Sequence, residues 1–193
     1  MSRLFLSNLN SGIQKNSEET MLEDLRQKIR DIPDFPKKGI VFKDITTLIK
    51  DGAAFHDVID YFYEQFKSAK IDYVVAIESR GYIFGAPLAY KLGAGLVIAR
   101  KPGKLPAAVE RVEYALEYGT DALEIHRDAI EKGKRVLVID DLLATGGTVC
   151  AACELVEKVG GIVAAAAFMI ELKDLNGAAR LPAQAEVFSM FSF

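Results

Sequence analysis

Tryptophan is absent from this 193-residue chain, while cysteine and histidine each occur twice and proline six times. Two cysteines cannot build the disulfide framework that staples small secreted domains. Cys150 and Cys153 do spell C-x-x-C, but a zinc site needs a second pair of ligands, and His56 and His126 are far off in sequence. The two cysteines read instead as small helix-face or core residues. Positive charge is not in excess: 24 Lys and Arg against 27 Asp and Glu leave a net charge of −3. A chain so balanced lacks the basic surface that neutralises nucleic-acid phosphates, so no nucleic-acid partner is expected. Long apolar runs are missing too. Val159 to Ile170 is about a dozen uncharged residues, short of the ~20 a membrane helix needs, so no membrane partner is expected. The first residues, MSRLFLSNLNSGIQ, hold only the apolar cluster Leu4 to Leu6 and no small-residue cleavage site, which leads us to expect a cytoplasmic protein.

What is present is the composition of a globular chain, half hydrophobic and 26% charged. Residues 1–16 are Asn- and Ser-rich without periodicity and are expected to be a mobile tail, followed by a single domain over 17–193. Asn16 and Glu19 resemble a capping box ahead of Leu22, Leu25 and Ile29. Breakers from Ile32 to Gly39 end that helix. Phe55, Val58, Ile59, Phe62 and Phe66 then form a helical stripe of core type.

From residue 71 the rhythm changes. The apolar runs Ile71–Ile77, Leu96–Ala99, Arg135–Ile139 and Ile162–Met169 alternate with helical patterns at Gly85–Leu92 and Thr148–Val159. Continuous apolar strands alternating with helices predict an α/β fold, a doubly wound and mainly parallel sheet. Chemistry in such sheets sits in loops at the carboxyl ends of strands. Those loops are Glu78–Gly81, Arg100–Thr120 and Asp140–Thr148. The second is read as a polar, Gly- and Pro-punctuated connection of lid type.

The segment VLVIDDLLATGGT, Val136 to Thr148, carries the most information. An apolar strand ends in Asp140 and Asp141, and a loop of small residues opens onto a helix. Gly146 and Gly147 allow close backbone approach, the helix start offers unpaired N–H groups, and Thr145 and Thr148 add hydroxyls. This suits one phosphate monoester. The pattern is neither G-x-x-x-x-G-K-[ST] nor G-x-G-x-x-G, which argues against a P-loop NTPase or a dinucleotide fold. Two acids beside a phosphate make sense if they accept hydrogen bonds from vicinal sugar hydroxyls.

This segment resembles the phosphoribosyl-pyrophosphate (PRPP) motif of type I phosphoribosyltransferases, and its LLATGGT ending resembles the adenine phosphoribosyltransferase branch of that family. So do Asp34 to Ile45 (DFPKKGIVFKDI), Glu78-Ser-Arg-Gly81, Arg100 to Pro106 (RKPGKLP) and Leu116-Glu-Tyr-Gly119. Together they cover the chain from about residue 20 to its end. The resemblance implies the family fold with a small N-terminal hood, and transfer of phosphoribose from PRPP to adenine, giving AMP and pyrophosphate in purine salvage.

It also implies roles for residues. Asp140 and Asp141 serve the ribose, and Ala144, Thr145, Gly146, Gly147 and Thr148 the 5-phosphate. Arg80, Arg100, Lys101 and Lys104 serve pyrophosphate, the basic cluster from its own subunit or across a dimer interface, and Tyr118 positions pyrophosphate or closes the lid. Glu117 exchanges a proton with an adenine ring nitrogen, and burial by a closing loop would raise its pKa for that task. Phe42 stacks on adenine while backbone at Val41 and Lys43 reads the 6-amino edge. Magnesium is expected to arrive with PRPP, with no dedicated protein cage, and a homodimer is expected. Transfer to a 6-oxopurine, or a nucleotide-binding regulator on the same fold, are the competing readings.

Overall fold

The computed structural model describes residues 17–115 and 119–193. Glu117 and Tyr118, like the tail 1–16 and Asn16, lie outside the described residues. The chain divides into two compact units, Met1–Asp60 and Tyr61–Phe193.

In the first unit, helix α1 covers residues 17–27, and its apolar face buries Leu25. Strands β1 (Arg30–Pro33) and β2 (Val41–Asp44) follow as an antiparallel hairpin. The sequence reading had only breakers here, because four-residue strands interrupted by Pro33 and Pro36 show no usable periodicity. Asp34 closes the connection by accepting the Gly39 N–H at 2.7 Å. After α2 (Thr46–Ile49), Asp51 caps α3 (Gly52–Phe66), accepting the N–H groups of Ala53 and Ala54 at 3.1 and 3.2 Å.

The second unit is built on five parallel strands. In chain order these are β3 (Tyr73–Ile77), β4 (Gly95–Ala99), β7 (Arg135–Leu143), β8 (Ile162–Glu171) and β9 (Glu186–Ser192). Their spatial order is β4-β3-β7-β8-β9. Alternation along the strands feeds two faces. On one, α4 (Gly81–Leu92) comes so close that a Cβ on Gly85 would lie 2.6 Å from that of Ala76. On the other, Val75, Ile77, Val136 and Val138 share a core with Val149, Ala152 and Leu155 of α5 (Gly147–Lys158). That is the doubly wound architecture the sequence predicts.

Three differences from the sequence reading bear on the site. Strand β7 does not stop at Ile139, because β8 keeps pairing with it as far as Leu143–Glu171. The stretch read as a polar connection carries β5 (Val109–Ala115), which pairs antiparallel with β6 (Thr120–His126). Its Val112 and Tyr114 are buried with Leu123 and Ile125 beneath charged neighbours. The edge strand β9 was also unread. Among the described residues, no helix is long and apolar enough to cross a membrane.

Candidate active site

The chain leaves β3 for β4 on one side and returns to β7 on the other, so strand order reverses between β3 and β7. The crevice beyond the carboxyl ends at such a reversal is where open α/β sheets bind ligands. Arg80 and Asp141 meet there, with Arg80 Nε 3.0 Å from Asp141 Oδ2. Asp141 is 5% exposed, whereas 40% of the Arg80 side chain is open to solvent. Asp140 accepts the N–H of Asp141 at 2.9 Å. Burial, and then the charge of Asp141, push Asp140 well above the usual carboxylate range. Burial pushes Asp141 up as well, with the Arg80 guanidinium opposing it. The pair is a basic acceptor set with one built-in counter-charge.

One loop further on, a cavity of about 70 Å3 is lined by Asp140 and residues 142–149. It therefore contains every position of the expected phosphate loop. Gly146 precedes α5 with φ +82°, a left-handed conformation, and no side chain caps the helix. The first-turn N–H groups have no intrahelical partner and carry the positive end of the helix dipole. The loop rests on the 3-10 turn Gly177–Arg180, which sequence reasoning missed. A Cβ on Gly146 would lie 2.6 Å from Gly177 O, and one on Gly177 would lie 2.1 Å from Ala144 O. Arg180 Nη1 donates to Thr145 O at 3.0 Å, and the Cys150 thiol donates to Arg180 O at 3.1 Å. Burial raises both thiols, that of Cys150 against the opposing charge of Arg180 and that of Cys153 to about 12. Neither is a thiolate at neutral pH, which disfavours redox or metal chemistry at C-x-x-C.

The cationic segment after β4 divides between two carboxylates. Glu78 Oε2 accepts the Lys101 N–H at 2.8 Å and Arg100 Nε–H at 3.3 Å, while Lys104 Nζ lies 3.3 Å from Glu78 Oε1. Lys101 Nζ turns the other way, to the carboxylate of Asp121 and to Tyr114 Oη at 2.9 Å. The backbone of Arg100 bridges Glu124, whose side chain accepts Gly103 N–H at 2.9 Å. So Arg100 and Lys104 are brought together, and Lys101 is drawn to the β5–β6 hairpin.

In the first unit, Val41 is exposed and Phe42 meets Phe35 edge-on, centroids 5.3 Å apart at 73°. Lys43 Nζ pairs with Asp31 at 2.7 Å. Among the described residues, no group of three or more His, Cys, Asp or Glu side chains is placed to hold a metal ion.

A family model described as the phosphoribosyl transferase domain matches residues 45–193. The chain belongs to this family. It is 63% identical over 171 residues to an adenine phosphoribosyltransferase of Chloroflexus aurantiacus, covering 89% of this chain and 98% of that protein. The crystal structure of adenine phosphoribosyltransferase from Thermoanaerobacter pseudethanolicus is similar with a TM-score of 0.86 and 52% identity, over 89% of this chain and 99% of that one. The Saccharomyces cerevisiae enzyme, solved with D-2,5-dideoxy-2,5-imino-altritol 1,6-bisphosphate and adenine, gives a TM-score of 0.85 and 39% identity, over 90% and 99%. The phosphoribosyltransferase sheet is thus the scaffold on which Arg80, Asp141 and the small cavity at the start of α5 are assembled.

Proposed function

We infer that this member of the family is an adenine phosphoribosyltransferase, which transfers the 5-phosphoribosyl group of PRPP to N9 of adenine and releases pyrophosphate. The observation that carries the reading is the Arg80–Asp141 pair at the strand-order reversal, one loop away from a phosphate-sized cavity at a helix start. An anion donor, a carboxylate pair of which Asp141 is buried and Asp140 half-buried, and a monoester site follow the order of PRPP itself: diphosphate, ribose, 5-phosphate. The identity of the base rests on the relatives, which are adenine enzymes, and on the Val41–Lys43 segment.

Breaking the bond at the anomeric carbon develops oxocarbenium-like charge on the sugar and negative charge on the leaving pyrophosphate. Asp140 and Asp141 accept the ribose hydroxyls and hold negative charge beneath the cationic ring, where preorganised charge is most effective. The N–H groups at the start of α5, with Thr145 and Thr148, anchor the 5-phosphate. Arg80, Arg100 and Lys104 receive the diphosphate, together with Tyr118. Lys101 joins them only by exchanging Asp121 for substrate. Glu117 exchanges the proton that leaves N9 nucleophilic. Phe42 stacks on the base, and the Asp31 partner of Lys43 favours a backbone role at that position. Magnesium enters as part of the substrate, chelated by the diphosphate. We place the enzyme in the cytoplasm as a homodimer, a state that sedimentation would read directly.

A turnover assay with PRPP and magnesium, offering adenine, hypoxanthine, guanine and xanthine separately, tests the reading. AMP from adenine alone is the expected result. Turnover with a 6-oxopurine overturns the base assignment, and PRPP binding without turnover of any base points to a regulator.

A further inference from the structure

Glu78 is the last residue before the Ser79–Arg80 turn, and nothing in the reaction described above uses it. Its side chain is 14% exposed. Its backbone N–H donates to Ala99 O at 2.9 Å, continuing the β3–β4 pairing by one residue. From that fixed base one carboxylate gathers three groups of the next loop: the Lys101 N–H, Arg100 Nε–H and the Lys104 ammonium. Arg100 is further held by Nη1–H to Lys104 O at 3.3 Å. A guanidinium has five N–H donors, and these contacts, with a further one to Tyr82, orient it.

We propose that Glu78 is a positioning residue for the diphosphate of PRPP, holding Arg100 and Lys104 side by side at a fixed distance from the Arg80 turn. The proposal rests on the reading of this loop as diphosphate-binding. Two cations converging on one anion repel each other while the site is empty. A carboxylate between them offsets that repulsion, and its hydrogen bond to Lys101 N–H fixes the loop backbone. Burial raises the Glu78 carboxyl, but the Lys101 N–H and the Lys104 and Arg100 charges outweigh it and hold the group below the usual carboxylate range. Glu78 is therefore ionised throughout the neutral range. Losing it lets the loop splay, and the cost falls on PRPP rather than on adenine.

The test is steady-state kinetics on the full chain for Glu78→Ala, Glu78→Gln, Arg100→Ala, Lys104→Ala and the Glu78→Ala/Lys104→Ala double variant. Glu78→Ala should raise KM for PRPP by about tenfold or more, with KM for adenine within about twofold and kcat less affected than KM for PRPP. Glu78→Gln keeps the acceptor for Lys101 N–H without the charge, so it should fall between. The double variant should lose less than the product of its single effects, because Glu78 acts through Lys104. If Arg100→Ala and Lys104→Ala raise KM for PRPP while both Glu78 variants behave as the parent, the proposal fails and the reading of the loop stands. If all of them behave as the parent, the loop does not bind diphosphate and the proposal falls with that reading. Equal losses toward PRPP and adenine, with a lowered Tm, reduce Glu78 to a folding role and also overturn it. Where Glu78→Ala does not fold, Glu78→Gln decides alone.

Discussion

Gly177→Ala is the sharpest perturbation available, because residue 177 lies outside the PRPP-like motif yet forms the floor of the proposed phosphate loop. Its backbone is in a conformation open to any residue, so the effect is steric alone. The added Cβ would stand 2.1 Å from Ala144 O, 2.9 Å from Gly146 N and 3.0 Å from Leu143 Cδ1. Two of those atoms are backbone and cannot swing aside like a side-chain tip. Relieving the first contact to even 3.0 Å shifts the loop or the turn by about 0.9 Å. Overpacking of this kind costs about 1–3 kcal/mol, at about 2–4 °C of Tm per kcal/mol for a chain of this size. A displacement near 1 Å in a substrate-positioning loop costs about 100-fold in rate. We therefore expect kcat/KM for PRPP to fall by about 100-fold and Tm by several degrees, read by initial rates at low PRPP and by scanning calorimetry. A value of kcat/KM within twofold of the parent, at unchanged Tm, would mean that loop and turn are not mechanically joined.

Asp140→Asn with Asp141→Asn should lower kcat/KM by about 1,000-fold or more, given what single preorganised groups contribute; near-normal turnover removes them from the mechanism. The folded pKa of Asp140 is held above its ordinary 3.8, so the folded chain loses stability as pH rises from there through the folded value. Asp140→Asn alone should then melt above the parent at pH 7, with the gap closing toward pH 3.8 in melts across pH. Asp44 has the opposite sign. The Thr46 N–H and Arg30 hold it at about 2 against 3.8, so its contribution is full above 3.8 and is lost as pH falls toward 2. Asp44→Asn should cost about 2 kcal/mol in denaturant unfolding at pH 7, and little at pH 2. Glu117→Ala should lower kcat by at least about 100-fold while leaving PRPP affinity within a few-fold; a loss confined to affinity would make Glu117 a binding residue.

What was legible in the sequence was whatever is written in consecutive residues. Apolar runs announced β3, β4, β7 and β8, and the small-residue loop after Asp140-Asp141 announced a cavity at the start of α5. The β5–β6 hairpin was hidden because Val112 and Tyr114 alternate with Arg111 and Glu113, so a half-buried strand read as a polar connection. The continuation of β7 through the two aspartates follows from pairing with β8, a partner visible only in three dimensions. For the same reason Gly177, Arg180, Asp121 and Glu124 carried no local signal. Glu78 did carry one: an acidic residue at a strand end beside a turn expected to bind an anion calls for a cationic partner, and its partners lie some 22 to 26 residues later.

Each cation proposed for the diphosphate is already matched inside the chain: Arg80 by Asp141, Lys101 by Asp121, and Arg100 with Lys104 by Glu78. An empty site so balanced projects little field into solvent, so capture of substrate should depend only weakly on ionic strength. It also discriminates among anions. Inorganic phosphate or a nucleoside triphosphate that draws Arg80 away strands Asp141 as a buried charge without its counter-ion, a costly outcome. A molecule that carries sugar hydroxyls next to its diphosphate gives Asp141 a new partner in the same step. The exchange of partners at Arg80 and Asp141 thus makes occupancy of this site by other phosphates unfavourable.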